Sequence, residues 1–146
     1  MKLPYTEPKE QRVLTRKEQT KLRNYQGRDS LIIKMGLYTG MRLGEVCALK
    51  WTDVNWENHS IAVQRNVQRM KCNTSSKKTT LVLGTTKPNH SCRSLPIPDF
   101  IWDELMKHHA SNGNQPFIFG RKGYVADPRT IQRRFCQIAL RLQIHN

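Results

Sequence analysis

An arginine and a carboxylate three residues apart, just past a glycine, are the side chains of this sequence most suited to chemistry. They lie in Thr39-Gly40-Met41-Arg42-Leu43-Gly44-Glu45. A guanidinium holds five N–H donors in a fixed fork and can give a phosphate two parallel hydrogen bonds, which an ammonium cannot do. Glycine tolerates positive φ and so ends helices; a bend at Gly40 would aim Arg42 into a cleft. Glu45 comes one turn later on the same side, an acceptor suited to orienting Arg42 or a neighbouring His. Spacing alone leaves a plainer reading open, an exposed Arg–Glu pair beside a helix turn, because such pairs are common and weak.

The elements around this stretch must place it. Thr15-Arg16-Lys17-Glu18 fits a capping box, with the Thr15 hydroxyl on an orphan N–H and Glu18 reaching back, so a first helix is expected from Arg16 to about Tyr25. A second, apolar nearly all round and therefore buried, is expected from Arg28 to Thr39. A third, Arg42 to Lys50, turns Leu43, Val46, Cys47 and Leu49 inward. Trp51–Trp56, a turn at Glu57–Ser60 and Ile61–Val63 read as a β-hairpin whose second strand continues to Arg69. Residues 70–79 lack apolar anchors and read as a loop; Thr80–Leu83 and Arg93–Ile97 read as strands flanking a turn at Lys87–His90. Pro98 opens a helix with Ile101, Trp102, Leu105 and Met106 at core spacing. After a turn at Asn112–Asn114, Phe117–Phe119 reads as a short strand or extended plug. Asp127 as N-cap and Pro128 at N1 start a last helix with Ile131, Phe135, Ile138, Ala139 and Leu142 inward. Helices, a small antiparallel sheet, then helices make an α+β, mostly helical domain.

Charge points to the partner. The net charge is +14, and it is unevenly spread: residues 61–95 carry seven Lys/Arg and no acid, whereas residues 31–60 carry three of each. A basic excess flanking a neutral core suggests a surface facing a polyanion, nucleic acid first among them. No apolar run approaches a membrane span and Met1-Lys2-Leu3-Pro4 begins no signal peptide, so the protein reads as intracellular, in the cytoplasm. Cys47, Cys72, Cys92 and Cys136 lie far apart with no Cys-x-x-Cys pair, which argues for reduced thiols and against a metal site.

Thr39-Gly40-x-Arg42-x-x-Glu45, followed by Ala48-Leu49-Lys50-Trp51-Thr52-Asp53-Val54, resembles the first arginine box of the tyrosine recombinases, the phage-type integrases. A second piece, Thr85-Thr86-Lys87-Pro88-Asn89-His90-Ser91-Cys92-Arg93-Ser94-Leu95-Pro96-Ile97-Pro98, is similar to the family's hairpin with a lysine at its tip. The resemblance implies site-specific DNA recombination without metal or cofactor: a tyrosine hydroxyl attacks a backbone phosphodiester, leaving a 3′-phosphotyrosine and a free 5′-hydroxyl. It implies that Arg42 and Lys87 are catalytic and that Glu45 supports them. Arg65, Lys77, Lys78, Arg93 and Arg133 are the expected DNA contacts.

The resemblance also implies what these residues leave out. The second arginine box follows a helix like Asp127–Leu142, where the chain ends at His145-Asn146. The nucleophile would come later still, and Tyr5, Tyr25, Tyr38 and Tyr124 lie outside its context. The expectation is therefore one partial catalytic domain over 1–146, with residues 1–13 as an entry segment and 14–146 as a core lacking its C-terminal part. Its partner is double-stranded DNA, its family usually forms homo-tetramers on DNA, and its source is a bacterium or phage. Alone it would bind DNA weakly and not cut it. Two rivals stand: a non-catalytic basic DNA-binding protein, and a type IB topoisomerase relative with the same chemistry.

Overall fold

The structure, a computed structural model, describes residues 12–74, 76–85 and 92–144. Helix α1 (Arg16–Asn24) starts on the expected capping box: Glu18 N–H donates to Thr15 Oγ1 at 3.3 Å and Thr15 N–H to Glu18 Oε2 at 2.8 Å. Helix α2 (Ser30–Thr39) begins two residues later than expected, after Asp29 in a left-handed conformation, and ends on Gly40 at φ 68°. Its residues Leu31 to Met35 are all buried. They include Lys34, fully buried on an ion pair with Glu104, so the helix is not apolar all round.

Helix α3 (Leu43–Cys47) is only five residues long. The expected continuation to Lys50 fails because Asp53 Oδ2 accepts the Lys50 N–H at 2.9 Å, closing a 3-10 turn over Trp51–Asp53. A short acceptor side chain offering the backbone an alternative to the helix ladder is a common cause of such an end. The first strand is accordingly reduced to β1 (Val54–Asn55), which pairs antiparallel with β2 (Ser60–Val63). His59, in the turn between them, has φ 50°.

The next expectation is corrected as well. The strand does not run on to Arg69 within one sheet. β2 pairs on its other side with β5 (Arg93–Pro96), with Val63 opposite Arg93, and gives a three-stranded sheet in the order β1-β2-β5. β3 (Arg65–Thr74) and β4 (Lys77–Thr85) form a second, two-stranded sheet. The segment read as a loop, 70–79, is mostly strand. Its ladder runs from Arg65 opposite Thr85 to Lys71 opposite Thr79, with an irregularity before Thr74 meets Lys77. Both faces of the hairpin's outer part are exposed, so backbone pairing rather than an apolar face holds it.

Helix α4 (Asp99–Asn112) has Pro98 as its N-cap and buries Ile101, Trp102 and Leu105, while Met106 is exposed, contrary to the core reading. Residues 116–118 are the extended plug: Trp51 N–H donates to Pro116 O at 3.3 Å and Ile118 N–H to Leu49 O at 2.9 Å. Helix α5 (Pro128–Arg141) starts as expected, Asp127 Oδ1 accepting the Arg129 N–H at 3.0 Å. Ile131 and Ile138 are buried; Phe135, Ala139 and Leu142 pack partly buried against the same core. That core gathers α2, α3, β2, α4 and α5 through Met35, Val46, Ile61, Leu105 and Ile138.

Candidate nucleic-acid interface

Arg42 occupies the N-cap of α3 with extended backbone (φ −67°, ψ 147°), directly after the left-handed Gly40 and Met41. Its N–H donates to Glu45 Oε2 at 2.9 Å, a side-chain cap that fixes the residue from which the guanidinium projects. That side chain is exposed, and among the described residues no carboxylate forms an ion pair with it. A projecting guanidinium with no acid spending it is a donor set for an oxyanion.

Glu45 itself is 3% exposed and does not bond the Arg42 guanidinium. Arg93, on β5, takes it instead: Nη1 to Oε1 at 3.1 Å and Nη2 to Oε2 at 2.8 Å. The Arg93 guanidinium, then the Arg42 N–H, hold the Glu45 carboxyl below its ordinary range against the opposing effect of burial. The same bond raises the pKa of Arg93. So the structure brings Arg42, Glu45 and Arg93 together, with Glu45 as the hub.

α3 can approach β3 only because residue 44 is glycine. A Cβ there would stand 2.2 Å from Asn66 Oδ1 and 2.6 Å from Val67 O. Cys47 on the same helix is fully buried, which pushes its thiol up to about 12 and removes it as a nucleophile.

The remaining sequence candidates are not gathered with these three. Arg65 grips the buried Asp53 with Nη1 at 2.9 and 2.8 Å from its two oxygens and Nη2 at 3.1 Å, so its fork is spent inside the fold. Lys77 and Lys78 are exposed on β4 near the hairpin tip, and Arg133 is exposed on α5. Lys87 lies outside the described residues. Sequence reasoning missed Asp53 as the partner of Arg65, and Arg69, which pairs with Asp127 and ties the hairpin to the start of α5. The only local signal was Asp127 itself, already marked as a cap. A cavity of about 670 Å³ opens elsewhere, between Asp29, Glu104, Phe119 and Arg134, and none of Arg42, Glu45 or Arg93 lines it.

Comparison with known proteins follows the same line. The tyrosine recombinase XerC-like protein of Caldanaerobacter subterraneus subsp. tengcongensis is 29% identical over 96 residues, covering 60% of this chain and 25% of that relative. The Tn1549 transposon integrase, solved in complex with transposon right end DNA, superposes with a TM-score of 0.73 at 20% identity, over 94% of this chain and 48% of that one. The XerA recombinase superposes with a TM-score of 0.70 at 19% identity, over 99% and 47%. The chain thus spans about half the length of those two structures and a quarter of the curated relative. At such identities the superpositions establish the fold, an α+β arrangement of helices with small antiparallel sheets. The sequence pattern of the phage integrase family matches residues 7–145. With that match over nearly its whole length, and with the arginine box built as described, the chain belongs to the phage integrase family of tyrosine recombinases.

Proposed function

We propose that these residues form the front part of a site-specific recombinase's catalytic domain, with Arg42 binding the phosphodiester that is cut. The observation that carries this reading is the exposed Arg42 guanidinium, unpaired by any described carboxylate, on a capped and packed helix start. In strand cleavage a tyrosine oxygen forms a bond to phosphorus as the bond to the 5′-oxygen breaks. Charge builds on the non-bridging oxygens, where fixed cations lower the barrier most. Arg42 donates to those oxygens, and Lys87, by its place in the motif, gives a proton to the departing 5′-oxygen. Glu45 works at one remove by capping the residue that carries the guanidinium. Lys77, Lys78 and Arg133 contact the duplex backbone outside the reacting phosphate.

None of these 146 residues is assigned as the nucleophilic tyrosine or the second arginine, so the chain alone binds duplex DNA and forms no covalent adduct. The family usually forms homo-tetramers on DNA, and the source of this chain is a bacterium, a phage or a mobile element. The test is covalent adduct formation by the longest reading frame that encodes the chain. R42Q should lower it by about 10²- to 10³-fold, the usual cost of one transition-state donor, with duplex affinity changed by less than about tenfold. Equal losses of affinity and cleavage would favour a binding module whose charge serves only phosphate contacts.

A further inference from the structure

We propose that Arg93 is a positioning residue for Arg42, acting through the buried Glu45 carboxylate, and not a direct contact to DNA. This rests on the reading of Arg42 as a phosphate-binding residue. Arg93 stands on β5, whose ladder with β2 fixes it opposite Val63 in the three-stranded sheet. Its fork reaches out of that sheet to α3, and both terminal nitrogens are bonded to Glu45. The Arg93 side chain is 39% exposed and keeps N–H donors outside this bond, but its charge is matched by the Glu45 carboxylate, so a phosphate drawn to it meets that negative charge at hydrogen-bond distance from the same guanidinium. Arg42 faces no such competitor among the described residues.

One oxygen links the two arginines. Glu45 Oε2 accepts both Arg93 Nη2 at 2.8 Å and the Arg42 N–H at 2.9 Å. A five-residue helix has too few internal hydrogen bonds to hold its own start, so the direction of Arg42 depends on where this oxygen is held. Without Arg93 the carboxyl either takes a proton or rotates toward water. Both movements weaken the cap on Arg42.

The test is a double-mutant cycle in the 146-residue chain, with affinity for a short fluorescent DNA duplex measured across a salt series. R42Q should weaken binding about fivefold and reduce the slope of log K against log salt by about 0.9, one phosphate contact. R93Q should produce a comparable loss, yet add less than about twofold in the R42Q background, since coupled residues fail to add. The carbon NMR signal of the Glu45 carboxyl should titrate at higher pH in R93Q than in the parent. If the two losses multiply and the slope falls twice, Arg93 touches phosphate itself and the proposal is overturned. An R93Q chain with parental affinity, or an unmoved Glu45 titration, overturns it too. If R42Q alone changes neither affinity nor slope, the phosphate role of Arg42 falls and takes this proposal with it. Should R93Q not fold, E45Q takes its place in the cycle, with the same expected loss and the same lack of additivity.

Discussion

Six of the nine acidic residues among the described residues, Glu18, Asp29, Glu45, Asp53, Glu104 and Asp127, are paired with a lysine or arginine. That pairing sorts the basic residues into two kinds. Arg65, Arg69 and Arg93 are bonded to carboxylates and hold elements together, while Arg42, Lys77, Lys78 and Arg133 are exposed with no ion pair to a described carboxylate. Two of the carboxylates also set the acid response. Glu18 is held down to about 2, first by the Thr15 N–H and then by Arg12, and Glu45 is lowered by Arg93. A carboxyl whose pKa is depressed by folding adds stability above its ordinary value of 4.5 and loses it as pH falls through the folded value. Stability should therefore decline as pH drops from about 4.5 toward 2. Urea midpoints across that range should fall less steeply for E45Q than for the parent; equal slopes would show that Glu45 carries no linked proton.

At the scale of elements, two positions decide whether α3 and α5 sit where the site needs them. Gly44 lets α3 lie against β3, and the backbone carbonyl of Val67 leaves a Cβ nowhere to go. Gly44→Ala should cost about 2 kcal/mol, in the range for overpacking, read as a lower urea midpoint with an unchanged m-value. Asp127 caps α5 with one oxygen and receives Arg69 from the hairpin on the other. Asp127→Ala should cost about 1 kcal/mol for the cap alone, and hydrogen exchange should quicken in β3 and β4 as well as in the first turn of α5. Exchange confined to α5 would mean that the Arg69 bond does not anchor the hairpin.

The same elements show which features were legible in the sequence. Thr15 with Glu18, Gly40, and Asp127 with Pro128 were readable because a cap is decided within four residues. The inward stripe of α5 was readable because its period is local. Of the hairpin over 65–85, the strand up to Arg69 and the strand at Thr80–Leu83 were readable, but its outer part over 70–79 was not, since those residues are mostly polar and exposed on both faces and leave no alternation to detect. Nor were the pairs Arg65–Asp53 and Arg93–Glu45, which join residues 12 and 48 positions apart. Within the site, Arg42 was found through its motif, whereas the partner of Glu45 could only be seen once β5 lay beside α3.

At the scale of the whole molecule, the chain matches its family over residues 7–145 yet spans about half of the solved recombinases it superposes on. Among the described residues, no helix is long and apolar enough to cross a membrane, and no group of three or more His, Cys, Asp or Glu is placed to hold a metal ion. The chain's net charge of +14 and its exposed cations are the features on which the reading of a DNA-facing catalytic half rests. That reading divides the work: Arg42 bears the charge of the phosphate, and Lys87 supplies the proton to the 5′-oxygen. The most direct measurement is cleavage, by the complete reading frame, of a duplex whose scissile 5′-bridging oxygen is replaced by sulfur. A thiolate leaves without being protonated, because its pKa is far below that of an alkoxide. K87Q should then regain most of its lost cleavage on the sulfur substrate, while R42Q should stay impaired by about 10²-fold or more. Rescue of R42Q, or no rescue of K87Q, would contradict this assignment of the two residues.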